Sequence, residues 1–306
     1  MNRVDYAQLL GERSALRRMV DETPKEDMLD LGSLTARLEE VEHRLLEAKV
    51  DEREPARAQL TFNGRPVVGT HGIFADFGAK AINAFTEAIT AVAASLSGGL
   101  AAMGPIPNRE QHQLLITNTA LGSFGFELEE YHNGHLLLEE QSSIGQAIER
   151  TQNLLQGTIN PDDELLADSA AELDPRAIDK VRAFVSALAE NEAVCALQFR
   201  SQQFRFTDVG QVRRSLERIS HNNIREETQM LRGEFQGVLP NRRTFEFHPV
   251  GIDQVVVGKV AAAVGDPDRI NQHLHSETEI KVMVTRVGNG RPRYLLLEMP
   301  EWNRRI

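Results

Sequence analysis

Residues 31–48 read LGSLTARLEEVEHRLLEA, and Leu31, Leu34, Leu38, Val41, Leu45 and Ala48 recur at alternating steps of three and four. That rhythm lays one apolar stripe along a helix. Glu39, Glu40, Glu42, Arg37 and Arg44 surround the stripe, the pattern of a coiled-coil seam that seeks a partner helix. Upstream, Tyr6, Leu9, Leu16 and Val20 keep the same rhythm, with Arg13 at the intervening seam position. Thr23, Pro24 and Glu26 supply an N-cap, a first-turn proline and the glutamate of a capping box, so a second helix is expected from Pro24. Residues 1–52 are thus expected to form a coiled-coil helical hairpin, interrupted or restarted at Gly32-Ser33 and followed by a charged linker at 51–55.

From Ala56 the pattern changes. Asn63-Gly64 between two apolar runs predicts a hairpin with a type I′ turn, and Pro66, which cannot donate a ladder bond, places its arm at a sheet edge. An amphipathic helix from about Asp76 carries Ile82, Phe85, Ile89, Val92 and Leu96 and stops at Gly98-Gly99. Strands are expected at 114–117 and 124–128, helices at 143–155 and 175–188, strands at 194–199 and 204–206, and a helix from Thr207. Beyond it come five short strands, at 230–239, 243–247, 255–260, 280–287 and 294–299, with one small helix at Asp266-Pro267 and a type I′ turn at Asn289-Gly290. Five short strands with one inserted helix is the element count of a small β-barrel of the OB or SH3-like kind. The expected class is α+β: a hairpin at 1–52, a central α+β domain at 53–222 and a small β-barrel at 223–306.

Charge is unevenly distributed. Residues 1–196 hold 17 Lys+Arg against 32 Asp+Glu, whereas residues 197–306 hold 17 against 13, so any polyanion contact belongs to the C-terminal part. Its densest basic region is Arg213, Arg214, Arg218, Arg242 and Arg243, with His221, Arg225 and Arg232 between them. Phe204, Phe206, Phe235, Phe245 and Phe247 are the rings available for stacking there, although alternation points several of them into the core.

Signals for chemistry are weaker than those for assembly. Gly69-Thr70-His71-Gly72 lacks the lysine of a phosphate loop. His132 and His135 flank an Asn-Gly turn, and His273 and His275 stand two apart, without the third and fourth ligands that zinc requires. Gly122-Ser123-Phe124-Gly125 departs from a nucleophile elbow, and Cys195, within an apolar run, reads as a buried thiol. No metal and no cofactor are expected. The longest apolar run, near 89–96, falls short of a membrane span, and one cysteine permits no internal disulfide, so a cytoplasmic protein is expected.

These features predict a non-enzymatic interaction or scaffold subunit that oligomerises, or clamps a partner protein, through Leu31, Leu34, Leu38, Val41 and Leu45. By analogy of build alone, that suits an accessory or sensor component of a bacterial multi-protein system, phage defence among them. Two alternatives stand beside it: a nucleic-acid-binding module using the Arg213–Arg243 region, and a hydrolase-like enzyme with a central site near His71, Ser123 or His132.

Overall fold

A computed structural model describes residues 3–24, 27–47, 55–101, 103–120, 124–131, 142–251 and 253–302. The chain divides into two compact units, 1–56 with 130–142, and 57–129 with 143–306. Helix and sheet are mixed, with eight α-helices among the described residues.

In the first unit, α1 (Arg3–Glu22) and α2 (Met28–Glu47) pack against each other. Leu9, Leu16 and Val41 are buried between them, with Leu34, Leu38 and Leu45 half-buried alongside. The second helix begins at Met28, four residues later than Pro24, because Pro24 instead closes a turn in which its carbonyl accepts from the Asp27 amide. It then runs through Gly32-Ser33 without a break. Ala48 lies outside the described residues.

The second unit opens with β1 (Arg57–Gly64), a two-residue pair β2 (Val67–Val68) and β3 (Gly72–Ile73), and α3 (Ala75–Ser97). There follow β4 (Leu114–Thr119), β5 (Phe124–Glu130), α4 (Ser143–Ile159), α5 (Asp163–Ala170), α6 (Pro175–Glu190), β6 (Ala193–Phe199), β7 (Gln202–Arg205) and α7 (Val209–Arg218). The five longer strands form one sheet in the order β4-β5-β1-β6-β7. Alternation decides its two faces. Ala58, Leu60, Phe62, Leu128, Cys195 and Leu197 point to one side and are essentially inaccessible, while Gln59, Thr61, Asn63 and Gln198 point to the other. The apolar face is closed by helices, with the Phe62 ring edge-on to Phe77 of α3 at 5.4 Å and Phe85 of α3 edge-on to Phe184 of α6 at 5.3 Å.

Here one sequence expectation fails. The Asn63-Gly64 pair does not turn β1 back onto residues 65–68; β1 runs through it and pairs with β5 and β6. Gly64 does take a positive φ of 107°, but it does so to pass Glu192 and Ala193, where a Cβ would lie 2.4 Å from the Glu192 carbonyl oxygen. The long-range ladder outweighs the local turn preference. Helix α5 was not anticipated; it is only eight residues long, and its start is marked by the Asp162 carboxylate accepting from the Glu164 amide.

The C-terminal strands β8 (Ile224–Leu239), β9 (Thr244–Pro249), β10 (Val256–Val260), β11 (Glu277–Val287) and β12 (Arg293–Leu296) close into a barrel in the order β10-β12-β11-β8-β9, with the short α8 (Asp268–Asn271) between β10 and β11. Closure depends on β8. Its first half pairs with β11, its second half with β9, and the register slips between Phe235 and Gly237, a bulge that bends the strand across the barrel. Gly233 at the crossover has no room for a side chain, since a Cβ would sit 2.1 Å from the His248 carbonyl oxygen. Phe235, Phe245, Phe247, Ile280, Val282 and Leu296 fill the interior. The turn joining β11 to β12 places its positive φ on Gly288 rather than on Asn289, so it is not of type I′. Ion pairs tie the barrel to α5 and the turn after it: Arg293 to Glu164 (2.6 Å) and Asp168 (2.5 Å) on the helix, and Lys259 to Glu172 in the turn.

Candidate functional site

Residue by residue, the basic region separates into exposed cations and structural ones. The Arg218 guanidinium donates to the Asn160 and Asp162 carbonyl oxygens and to Asp163 Oδ1 (2.7 Å), so it stitches α7 to the segment between α4 and α5. Arg243, at a positive φ of 47°, donates to the carbonyl oxygens of Val260 (3.1 Å), Ala261, Val264 (3.0 Å) and Gly265 (3.3 Å) and so clamps the chain leaving β10. Arg213 stands 3.7 Å from Glu192, and Arg214 and Arg242 are exposed. Phe204, Phe206, Phe235, Phe245 and Phe247 are all buried to 1% exposure or less, so none of these rings is free to stack on a base. Because hydrogen bonds from a charged donor contribute about 1.5–3 kcal/mol each and those of Arg243 are only partly buried, Arg243→Ala is expected to lower unfolding stability by about 3 kcal/mol in all. Urea denaturation would show it, and an unchanged midpoint would refute the clamp.

Among the described residues no group of three or more His, Cys, Asp or Glu is arranged to hold a metal, and no helix is long and apolar enough to cross a membrane. His273 stacks on Trp302 at 4.3 Å, and His275 occupies a positive-φ position (58°) just before β11. His71 sits in the turn between β2 and β3, where its amide donates to the Val68 carbonyl. Ser123, His132 and His135 lie outside the described residues. Cys195 is 1% exposed, and burial pushes its thiol up, which makes it a poor nucleophile.

Two polar arrangements escaped the sequence reading. The first is His112, buried in the second unit, whose Nδ1 lies 3.3 Å from Ser143 Oγ at the start of α4. Burial lowers the His112 pKa, keeping the ring neutral, and Nε2 meets no partner among the described residues. Among the described residues no third group orients the ring, the role that fixes the base in catalytic triads. The second is Glu226 on β8, whose Oε1 is buried without a hydrogen-bond partner. Burial, reinforced by the charges of Asp174 and Asp179 and opposed by Arg182, pushes its carboxyl up to about 7. Arg182 itself donates to the Ile219 carbonyl (2.6 Å) and bonds Asp179, with His221 at 2.7 Å.

The open face of the central sheet carries a depression of about 260 Å³ lined by Gln59, Thr61, Asn63, Gln198, Gln203 and Arg205. Gln59 of β1 is level with Gln198 of β6, which is level with Gln203 of β7, so three amides form one row across three strands. In the next row Thr61, Ala196 and Arg205 are level, and the small Ala196 side chain makes the floor. Their alternation with Leu60, Phe62 and Leu197 was readable in the sequence, but their alignment across strands was not.

Comparison with protein-family models, curated proteins and solved structures returns no match to this chain.

Proposed function

We propose that this chain is a self-assembling, non-enzymatic interaction subunit of the cytoplasm whose N-terminal helical hairpin is a coiled-coil element that pairs with a second copy. The observation that carries the reading is the incomplete burial of α2: Leu31, Leu34, Leu38 and Leu45 stay half-exposed although α1 already packs on this helix. Among the described side chains, those fully buried in these two 20-residue helices are Leu9, Leu16 and Val41, a small core. The ion pairs beside them, Arg17–Glu42 (2.5 Å) and Arg37–Glu12 (2.9 Å), are exposed and contribute at most about 1 kcal/mol each. A second stripe laid against the first would complete the seam.

The barrel is proposed to be of the OB kind, a reading supported by its strand order and by the helix between its third and fourth strands. Barrels of this kind take ligands over their second and third strands, here β9 and β10. Val255 and Val257 are exposed on β10 and at its entry, with Val250 at 65% exposure in the preceding loop, and an apolar surface of that sort suits a protein partner better than a phosphate backbone. The nucleic-acid alternative retains Arg213, Arg214 and Arg242 as exposed cations.

Light scattering across a hundredfold concentration range tests the reading. A mass of twice 34.2 kDa or a higher whole multiple is expected. A constant monomer mass at concentrations up to tens of micromolar would overturn it.

A further inference from the structure

We propose that the open face of the sheet β4-β5-β1-β6-β7 binds a nucleoside phosphate in the depression over Ala196, its base edge on Gln59, Gln198 and Gln203 and its phosphate on Arg205. The observation behind this is a set of unused hydrogen-bonding groups held in fixed register. The side chains of Gln59, Gln198, Gln203 and Arg205 are exposed and, among the described residues, form no hydrogen bond or ion pair within the chain. They stand on three neighbouring strands, about 4.8 Å apart from one strand to the next.

The water-facing side of an antiparallel sheet is ordinarily polar. What sets this face apart is that three of its glutamines fall level with one another on neighbouring strands, beside a single arginine. Each glutamine offers one acceptor and two donors on a planar group. Such a group pairs bidentately with the edge of a base, and adenine, with an acceptor beside a donor, is the base glutamine and asparagine match. Arg205 is the cation of the ring, and the residues lining the depression include no carboxylate to neutralise it. The row does continue onto Glu127 of β5, level with Gln59, and Arg57 at the far end of β1 is closed off by Glu129 at 2.9 Å. Anion binding therefore falls to the Arg205 side, where guanidinium geometry suits phosphate.

Size and floor agree with this ligand. A depression of about 260 Å³ lies just below the usual range of roughly 300–1,000 Å³ for drug-sized ligands, which fits a single nucleotide. Ala196 and Val194 provide a flat, weakly apolar base on which a ring can rest. A saccharide would instead call for an exposed aromatic platform, and the two rings beside the depression, Phe62 and Phe206, are buried to 1% or less.

The nucleotide could be free or the end of a single strand, and calorimetry on the full chain separates the two. The probes are AMP, GMP, UMP, adenosine, ribose 5-phosphate and a six-residue oligodeoxyadenylate. AMP is expected to bind most tightly of the mononucleotides. Gln198→Ala should weaken AMP by roughly 10-fold or more, and Arg205→Gln should weaken AMP to a similar degree while leaving adenosine unchanged. Arg200→Gln, outside the depression, should alter nothing. An oligonucleotide that binds at least tenfold tighter than AMP, and competes with it, assigns the site to a strand end; equal or weaker binding assigns it to the free nucleotide. All three substitutions are of exposed side chains, and unchanged thermal unfolding would confirm intact folding. No heat with any probe at millimolar concentration, or AMP binding indifferent to Gln198→Ala and Arg205→Gln, would overturn the proposal.

Discussion

Replacing Glu226 by glutamine is expected to raise unfolding stability at pH 8 by up to about 3 kcal/mol and to leave it nearly unchanged at pH 4. The reason is that burial, with the charges of Asp174 and Asp179, raises the folded carboxyl from 4.5 to about 7, against the weaker pull of Arg182. Below pH 4.5 the carboxyl is protonated in both folded and unfolded chains, so glutamate costs nothing that glutamine does not. Between 4.5 and 7 the unfolded chain releases its proton first, and the native protein loses stability as pH rises. Above 7 the penalty is complete, and two and a half pH units correspond to about 3 kcal/mol at 1.36 kcal/mol each. Glutamine keeps the shape of the side chain but carries no charge to desolvate. Urea midpoints of both proteins at pH 4, 6 and 8 would decide the matter, and parallel pH profiles for the two would refute a strained carboxylate at this position.

That carboxylate shows what the sequence could and could not convey. Residues 224–229, Ile-Arg-Glu-Glu-Thr-Gln, read as polar surface because charge appears on both faces of the strand. Only the pairing of Glu226 with Thr285, which half-buries the side chain and shuts Oε1 off from water, and the charges of Asp174, Asp179 and Arg182 acting on it set this carboxyl apart from its neighbours. The second half of the same strand, with Phe235 and Val238 turned inward, was legible, and so were most barrel strands, since alternation against a single interior survives whatever the neighbours are. Pairings that join distant segments were not legible. Asn63-Gly64 signals a local turn, but Gly64 lies beside Ala193, and no local pattern announces a partner 129 residues away. Arg218 and Arg243 misled for a related reason: a run of arginines looks like a binding surface until the carbonyl oxygens they bridge are placed beside them. Similarly, the glutamines of the open sheet face were ordinary surface residues until register aligned them.

The double replacement Leu38→Glu/Leu45→Glu is expected to convert an oligomer into a folded monomer. Both leucines are half-buried beside Leu9, Leu16 and Val41, so each already shields the hairpin core with one side and presents the other outward. In a seam formed with a second copy, that outward side would be covered, and a carboxylate there would lose water without gaining a partner. Each such burial costs about 2 kcal/mol or more, and a symmetric dimer would contain four. Association should therefore weaken by at least roughly three orders of magnitude, since each 1.4 kcal/mol is tenfold. The same substitutions cost much less within one chain, where a half-exposed glutamate can turn towards solvent, so helix content should survive. Val41→Glu is the contrasting variant. Val41 is 3% exposed and packs inside the hairpin, so a charge there should melt the helices themselves as well as the assembly. Glu40→Lys, on the exposed side of α2, should disturb neither. Circular dichroism with light scattering on the four proteins separates the cases: helix retained and mass reduced to 34.2 kDa in the double variant is the expected result. An unchanged oligomer would mean that the contact lies on another surface, and helix loss equal to that of Val41→Glu would mean that the stripe serves only the hairpin's own fold.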